Sequence, residues 1–183
     1  DSLEAAGVID DPDLFAIAAR LLAADGSLKA GEYAVPAHES MRAVIARLSD
    51  GRVLTRRITI PEGLTAVEIS AIVAATPALT GEVGEIPPEG SLLPETYHYV
   101  HGDSRDAVLA RMTDAMAATL TELWAARAEN LPFATPEEAV ILASVVEKET
   151  GVSGERRHVA GVFVNRLRLG MRLQSDPTVI YGL

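Results

Sequence analysis

TPEEAVILASVVEKETG, residues 135–151, is the stretch from which the rest of the chain is read. Thr135 is a good helix N-cap, Pro136 suits the first helical position, and Glu138 stands three residues after the cap, where its carboxylate can close a capping box. From Ala139 to Val146 only Ser144 is polar, and Gly151 is a natural stop. The pattern predicts one helix, apolar around nearly its whole circumference, as buried helices are. Charges on such a helix need a reason. At about 100° per residue, Glu147 falls between Val140 and Ala143 with Ser144 beside it, Lys148 points the other way, and Glu149 lies near Leu142 and Val145. Small neighbours leave room for a ligand, and apolar ones disfavour a charged carboxyl, the condition that keeps a general acid protonated near neutral pH. Both suit Glu147. Pairing with Arg156, Arg157 or Arg166 near the helix end is an equally open explanation, and Glu149 meets a weaker version of the same test.

Downstream, a helix is expected from about Glu155, with Val159, Val162, Phe163 and Leu167 on one face and Gly170 at its end. The run Leu173 to Thr178 sets polar residues between apolar ends. Ser175 or Asp176 can cap a helix begun by Pro177, or Gln174 and Asp176 can bind sugar hydroxyls. The chain stops at Leu183, soon after that helix start, which points to truncation.

Upstream, an amphipathic helix is expected from about Ser104 to Ala128, with Val108, Met112, Met116, Leu120, Leu123 and Trp124 as core. Residues 76–90 are broken by Pro and Gly and read as a linker. Thr65 and Glu68 form another capping box, opening a helix whose buried side is Val67, Ile69, Ile72 and Val73. Arg52 to Ile60 alternates like a strand until Pro61. Ser40 opens a helix carrying Met41, Val44, Ile45 and Leu48, closed by Asp50-Gly51, and Leu28 to Val35 reads as extended. Asp11-Pro12 starts the first long helix, with Gly26 as its stop. A shift of 25 positions lays Pro36 on Pro61, Ser40 on Thr65, Val44 on Ile69 and Leu48 on Val73, suggesting two similar strand and helix modules.

Composition narrows the functional classes. A 48% hydrophobic content supports folded cores, and aromatics at 4% leave those cores aliphatic. With 16 basic against 26 acidic residues and a formal charge of −10, nucleic acid is an unsuitable partner, since phosphate binding needs concentrated Lys and Arg. The absence of Cys removes disulfides, thiolate zinc sites and Cys nucleophiles. His38, His98, His101 and His158 show no metal-ligand spacing, and there is neither a nucleophile elbow nor a phosphate-binding Gly loop, so no metal and no cofactor is expected. No stretch approaches the roughly 20 apolar residues of a membrane span.

Residues 144–182, SVVEKETGVSGERRHVAGVFVNRLRLGMRLQSDPTVIYG, closely resemble the signature region of the endolytic murein transglycosylases, the YceG-like family. Earlier pieces agree in order: Leu28 to Tyr33, Ile60 to Thr65, and Glu89 to Tyr97. Leu93-Pro94-Glu95 stands where the family more often has Phe-Pro-Asp, and Ser175 where it has Thr; both departures are conservative.

The resemblance implies an α+β fold, with small LysM-like strand and helix modules in 1–75 (first strand missing), a linker at 76–90, and a mainly helical catalytic domain in 91–183 cut short at its C-terminus. It implies that Glu147, the first Glu of the E-K-E-T motif, is the catalytic residue. Glu149, Asn165, Gln174, Asp176, Thr178 and Tyr181 are the candidate substrate-binding residues. The implied activity is a lyase reaction on peptidoglycan, cleaving between N-acetylmuramic acid and N-acetylglucosamine to leave 1,6-anhydro ends and terminating nascent strands. The implied partners are glycan strands and peptidoglycan synthases, and the implied place is the periplasmic face of the bacterial inner membrane, reached through an N-terminal anchor outside this chain. A hydrolytic muramidase with a second carboxylate, Asp176 or Glu155, and a non-catalytic peptidoglycan-binding scaffold are the competing readings.

Overall fold

The computed structural model describes residues 2–23, 28–176 and 178. Among them are seven helices and a two-stranded sheet, the expected α+β class: α1 (Ser2–Ala5), α2 (Pro12–Leu22), α3 (Met41–Asp50), β1 (Thr55–Thr59), α4 (Ala66–Ala75), β2 (Thr96–Val100), α5 (Arg105–Ala125), α6 (Pro136–Glu149) and α7 (Arg156–Arg168). The chain forms two compact units. One holds Asp1–Ile58, Pro77–Thr80 and His98–Ser104, and the other Thr59–Thr76, Gly81–Tyr97 and Arg105–Leu183.

In the first unit, Asp11 caps α2 by accepting the Leu14 N–H at 2.9 Å, and Ser40 caps α3. Gly51 closes α3 at φ 69°, a left-handed turn that glycine adopts without a Cβ penalty. Phe15 and Ala19 of α2 bury against Val44, Ile45 and Leu48 of α3, with Tyr33, Val35 and Met41 around them. The segment from Leu28 to Val35, expected as a strand, joins no ladder among the described residues. It is tied instead by single bonds, Lys29 N–H to Leu48 C=O at 3.1 Å and Leu54 N–H to Glu32 C=O at 2.7 Å. The stop expected at Gly26 lies outside the described residues.

The sheet pairs β1 with β2. Thr59 and Thr96 hydroxyls stand 2.9 Å apart and Ile60 N–H donates to Glu95 C=O at 3.0 Å, so residue number rises on one strand as it falls on the other, the antiparallel sense. β1 is shorter than the alternation in Arg52 to Ile60 suggested, and Leu54 is exposed.

In the second unit both capping boxes are present, Thr65 with Glu68 and Thr135 with Glu138. The helical half of the repeat is real: α3 and α4 are each 10 residues long with their N-caps 25 positions apart. Ile69 and Val73 are buried as expected, but Val67 is exposed, and Ser70 takes the buried place that Ile45 holds in α3.

Three further expectations about burial fail. α6 buries only Leu142, Val145 and Val146, against Phe163 of α7, while Ile141 is 64% exposed; α6 is a one-faced helix, not a buried one. α5 buries Val108, Leu109 and Met112 in its first half, whereas Met116, Leu120 and Trp124 are half-buried and Leu123 is exposed. Likewise Val162 of α7 is exposed. An apolar residue at helical spacing is buried only where another element covers that turn.

Candidate active site

α6 presents Glu147 near its C-terminal end, where the chain reverses sharply into α7. Thr150 organises the reversal. It is buried, its N–H donates to Val146 C=O at 3.3 Å, its hydroxyl donates to the Glu155 carboxylate at 3.0 Å, and that hydroxyl accepts the Val152 N–H at 3.1 Å. α7 therefore begins beside the end of α6, and its first residue, Arg156, reaches back. Arg156 Nη2 lies 3.0 Å from each Glu147 carboxylate oxygen, and Arg156 Nε is buried with no partner among the described residues. Of the three arginines that sequence offered as partners, the turn selects this one.

The Glu147 side chain keeps 26% of its exposure, so it is not sealed from solvent. Its expected small neighbours, Ala143 and Ser144, are exposed, so one flank of the residue is open surface rather than apolar interior. The other flank is the loop that precedes α4. Gly63 sits there at φ 77°, and a Cβ on it would stand 3.4 Å from Lys148 Cε and 3.6 Å from Glu147 Cγ. That loop is itself held. The Glu89 carboxylate accepts the Ala66 N–H at 3.0 and 3.1 Å, adding an anion to the start of α4, where the helix dipole favours one. Next to Glu89, Gly90 lies against α6, its would-be Cβ 3.1 Å from Val140 Cγ1. Gly63, Glu89 and Gly90 fall within segments singled out in the sequence, but their relation to α6 is a long-range contact that no local pattern reveals.

The other candidates are distributed unevenly. Glu149 is exposed on the last turn of α6 and accepts the Ser175 hydroxyl at 2.6 Å. Asn165 is exposed on α7. Gln174, at φ 52°, and Asp176 are exposed on either side of buried Ser175. Thr178 donates its hydroxyl to Ser175 C=O at 2.6 Å. Tyr181 and Pro177 lie outside the described residues, and of the helix expected to begin at Pro177 only Thr178 is described. No hydrogen bond among the described residues ties Asn165, Gln174 or Asp176 to Glu147. No group of three or more His, Cys, Asp or Glu could hold a metal ion among the described residues.

An apolar groove of about 310 Å³ runs between α5 and α6, lined by Met116, Leu120, Trp124, Phe133, Val140 and Ala143 among others. A polar depression follows α5, around Asn130. Glu147 lines neither; it stands one helical turn beyond Ala143 on the same face of α6.

The pattern of the YceG-like family matches residues 1–183. Over 95 residues, 51% of this chain, the sequence is 35% identical to an endolytic murein transglycosylase of Streptococcus pneumoniae strain D39. Over 96 residues, 52% of this chain, it is 29% identical to an endolytic murein transglycosylase of Bacillus subtilis strain 168. These matches span 17% and 26% of the two relatives' own lengths. A solved YceG-like protein from Listeria monocytogenes shares the fold with a TM-score of 0.52 at 24% identity, over 98% of this chain and 69% of that one.

Proposed function

The chain belongs to the YceG-like family, and from that premise we propose that it serves a lytic transglycosylase of peptidoglycan, with Glu147 as its lone acid and base. The observation that carries the reading is the position of Glu147: reachable from solvent and flanked by the loop that carries Gly63, with Arg156 beside it to hold the carboxylate form. The names of the relatives point the same way.

Ordinary glycosidases divide the work between two carboxylates. Here the nearest alternatives to Glu147 are already engaged, Glu149 by the Ser175 hydroxyl and Glu155 by the Thr150 hydroxyl. That weighs against a hydrolytic muramidase and, of the two second carboxylates that sequence offered, leaves Asp176. With a single acid, Glu147 donates its proton to the oxygen bridging N-acetylmuramic acid and N-acetylglucosamine, and the bond from muramic C1 to that oxygen breaks. The resulting carboxylate takes the proton of the muramic C6 hydroxyl as that oxygen bonds to C1. A 1,6-anhydro ring forms and no water is consumed. Because the nucleophile belongs to the substrate, its effective molarity is high, and the protein's part is to protonate, position and stabilise positive charge at C1.

Arg156 shapes that cycle. A guanidinium has donors but no acceptor, so the protonated oxygen of Glu147 must turn from Arg156 towards the substrate, while the carboxylate left after transfer regains both contacts. Residues 1–75 are read as a LysM-like, strand-holding region. The place of action is read as the periplasmic face of the inner membrane, beside peptidoglycan synthases. No helix among the described residues is long and apolar enough to cross a membrane. Mass spectrometry of digested sacculi tests the reaction: 1,6-anhydro-muramic ends support it, and reducing muramic ends would replace it with hydrolysis. Binding without cutting would favour the scaffold.

A further inference from the structure

We infer that Glu149 is a positioning residue, and that with Ser175 it latches the segment carrying Gln174 and Asp176 to the end of α6. This rests on the transglycosylase reading and alters one part of it, the role of the second Glu in E-K-E-T. Three consecutive residues carry the argument. Ser175 is 3% exposed and gives its hydroxyl to Glu149 at 2.6 Å, across 26 positions of sequence, whereas Gln174 and Asp176 on either side are exposed. The centre of the triplet is anchored inward and its neighbours project outward.

The segment needs such an anchor. Gln174 is held at φ 52°, a left-handed backbone that a residue with a Cβ adopts only when surrounding contacts impose it. Those contacts stand on both sides of it: Arg166 donates to the Leu173 carbonyl, Ser175 donates to Glu149, and Thr178 N–H and hydroxyl close onto Ser175 C=O at 3.1 and 2.6 Å. A hydrogen bond from a buried hydroxyl to a carboxylate is charge-assisted and among the stronger kinds. With one carboxylate oxygen, Oε2, committed to Ser175, Glu149 acts on the glycan through the segment it holds. Sequence placed Glu149 among the groups that touch sugar; the geometry points to a role one step removed.

The test measures binding of peptidoglycan glycan strands by the whole protein in the Glu147→Gln background, so that no cutting intervenes, alongside hydrogen exchange of residues 171–176 and 178. Glu149→Ala and Ser175→Ala should each weaken binding about tenfold, the worth of one hydrogen bond to a charged group, and the double change should weaken it little further, because both remove the same bond. Both single changes should raise exchange in the segment. Ser175→Thr keeps the hydroxyl and should recover most of the loss, whereas Glu149→Gln keeps an acceptor oxygen without its charge and should recover roughly half of it. If Glu149→Gln binds as poorly as Glu149→Ala while exchange stays at the parental level, the charge itself meets the ligand and the latch is wrong. Full additivity of the two alanine changes, or a harmless Ser175→Ala, would overturn it too. A Glu147→Gln parent that still cuts strands, or a protein that binds none, would instead sink the transglycosylase reading.

Discussion

Replacing Gly90 by Ala puts a methyl group where the backbone and a neighbour both resist it. At φ 74° the residue is left-handed, which costs an L side chain about 1–2 kcal/mol. Roughly 0.5–1 kcal/mol of that is returned because Ala stiffens the unfolded chain. The new Cβ also meets Val140 Cγ1 at 3.1 Å, so α6 or the loop must shift by a few tenths of an ångström, an overpacking cost of about 1 kcal/mol or more. The net loss expected is about 2 kcal/mol. Gly63 is the internal control. Its φ of 77° is nearly the same, but its would-be Cβ makes only ordinary contacts at 3.4 to 3.6 Å with the side chains of Lys148 and Glu147. Gly63→Ala should therefore cost only the backbone part, about 1 kcal/mol or less. Val140→Ala removes the obstructing methyl, so the increment for Gly90→Ala in that background should fall to the Gly63 level. Urea unfolding followed by Trp fluorescence suits the comparison, because the single Trp, Trp124, lies in the unit that contains both glycines. A Gly90→Ala cost no greater than that of Gly63→Ala, or an increment untouched by Val140→Ala, would refute the reasoning.

Arg156→Ala should destabilise the protein by about 1–2 kcal/mol, between the values for exposed and buried pairs, since the partners keep 39% and 26% of their side-chain exposure. Strand cutting should fall with it, and Arg156→Lys should recover part of the activity; thermal melts and dye release from labelled sacculi measure the two effects. In the first unit, the Arg56 hydrogen bond holds the Glu32 carboxyl below the usual range, as Arg47 does for Glu39. A carboxyl that titrates lower when folded adds stability that is whole above the usual carboxylate range and disappears as pH falls through the lower folded value. Melts between pH 7 and 3 should show this loss, and Glu32→Gln with Glu39→Gln should flatten it; an unchanged slope would exclude these pairs as its source.

What sequence made legible was local. The capping boxes at Thr65 and Thr135 each need only four residues, and both formed as the spacing required. The α3 and α4 repeat survived for the same reason. Pairing and cover were not legible. Residues 28–35 have the pattern of a strand but meet no partner strand among those described, while Thr96 to Val100, with His98 interrupting its apolar run, is a strand because β1 lies beside it. Met116 and Trp124 repeat at helical spacing, yet periodicity does not reveal whether another element covers that turn. At the site, Glu147 stood out because a charge ended an apolar run. The choice of Arg156 over Arg157 and Arg166 needed the Thr150 reversal, and the Ser175 to Glu149 bond joins residues too distant for any local rule.

The central claim is that Glu147 supplies the proton, and Glu147→Gln keeps the shape of the side chain while removing the acid. Muropeptide analysis of glycan strands treated with the wild-type protein and the variant, side by side, measures that directly. The account predicts 1,6-anhydro-muramic ends from the wild type and a loss of at least about a hundredfold in the variant, the scale of general acid catalysis. Cutting by Glu147→Gln at the wild-type rate would contradict it.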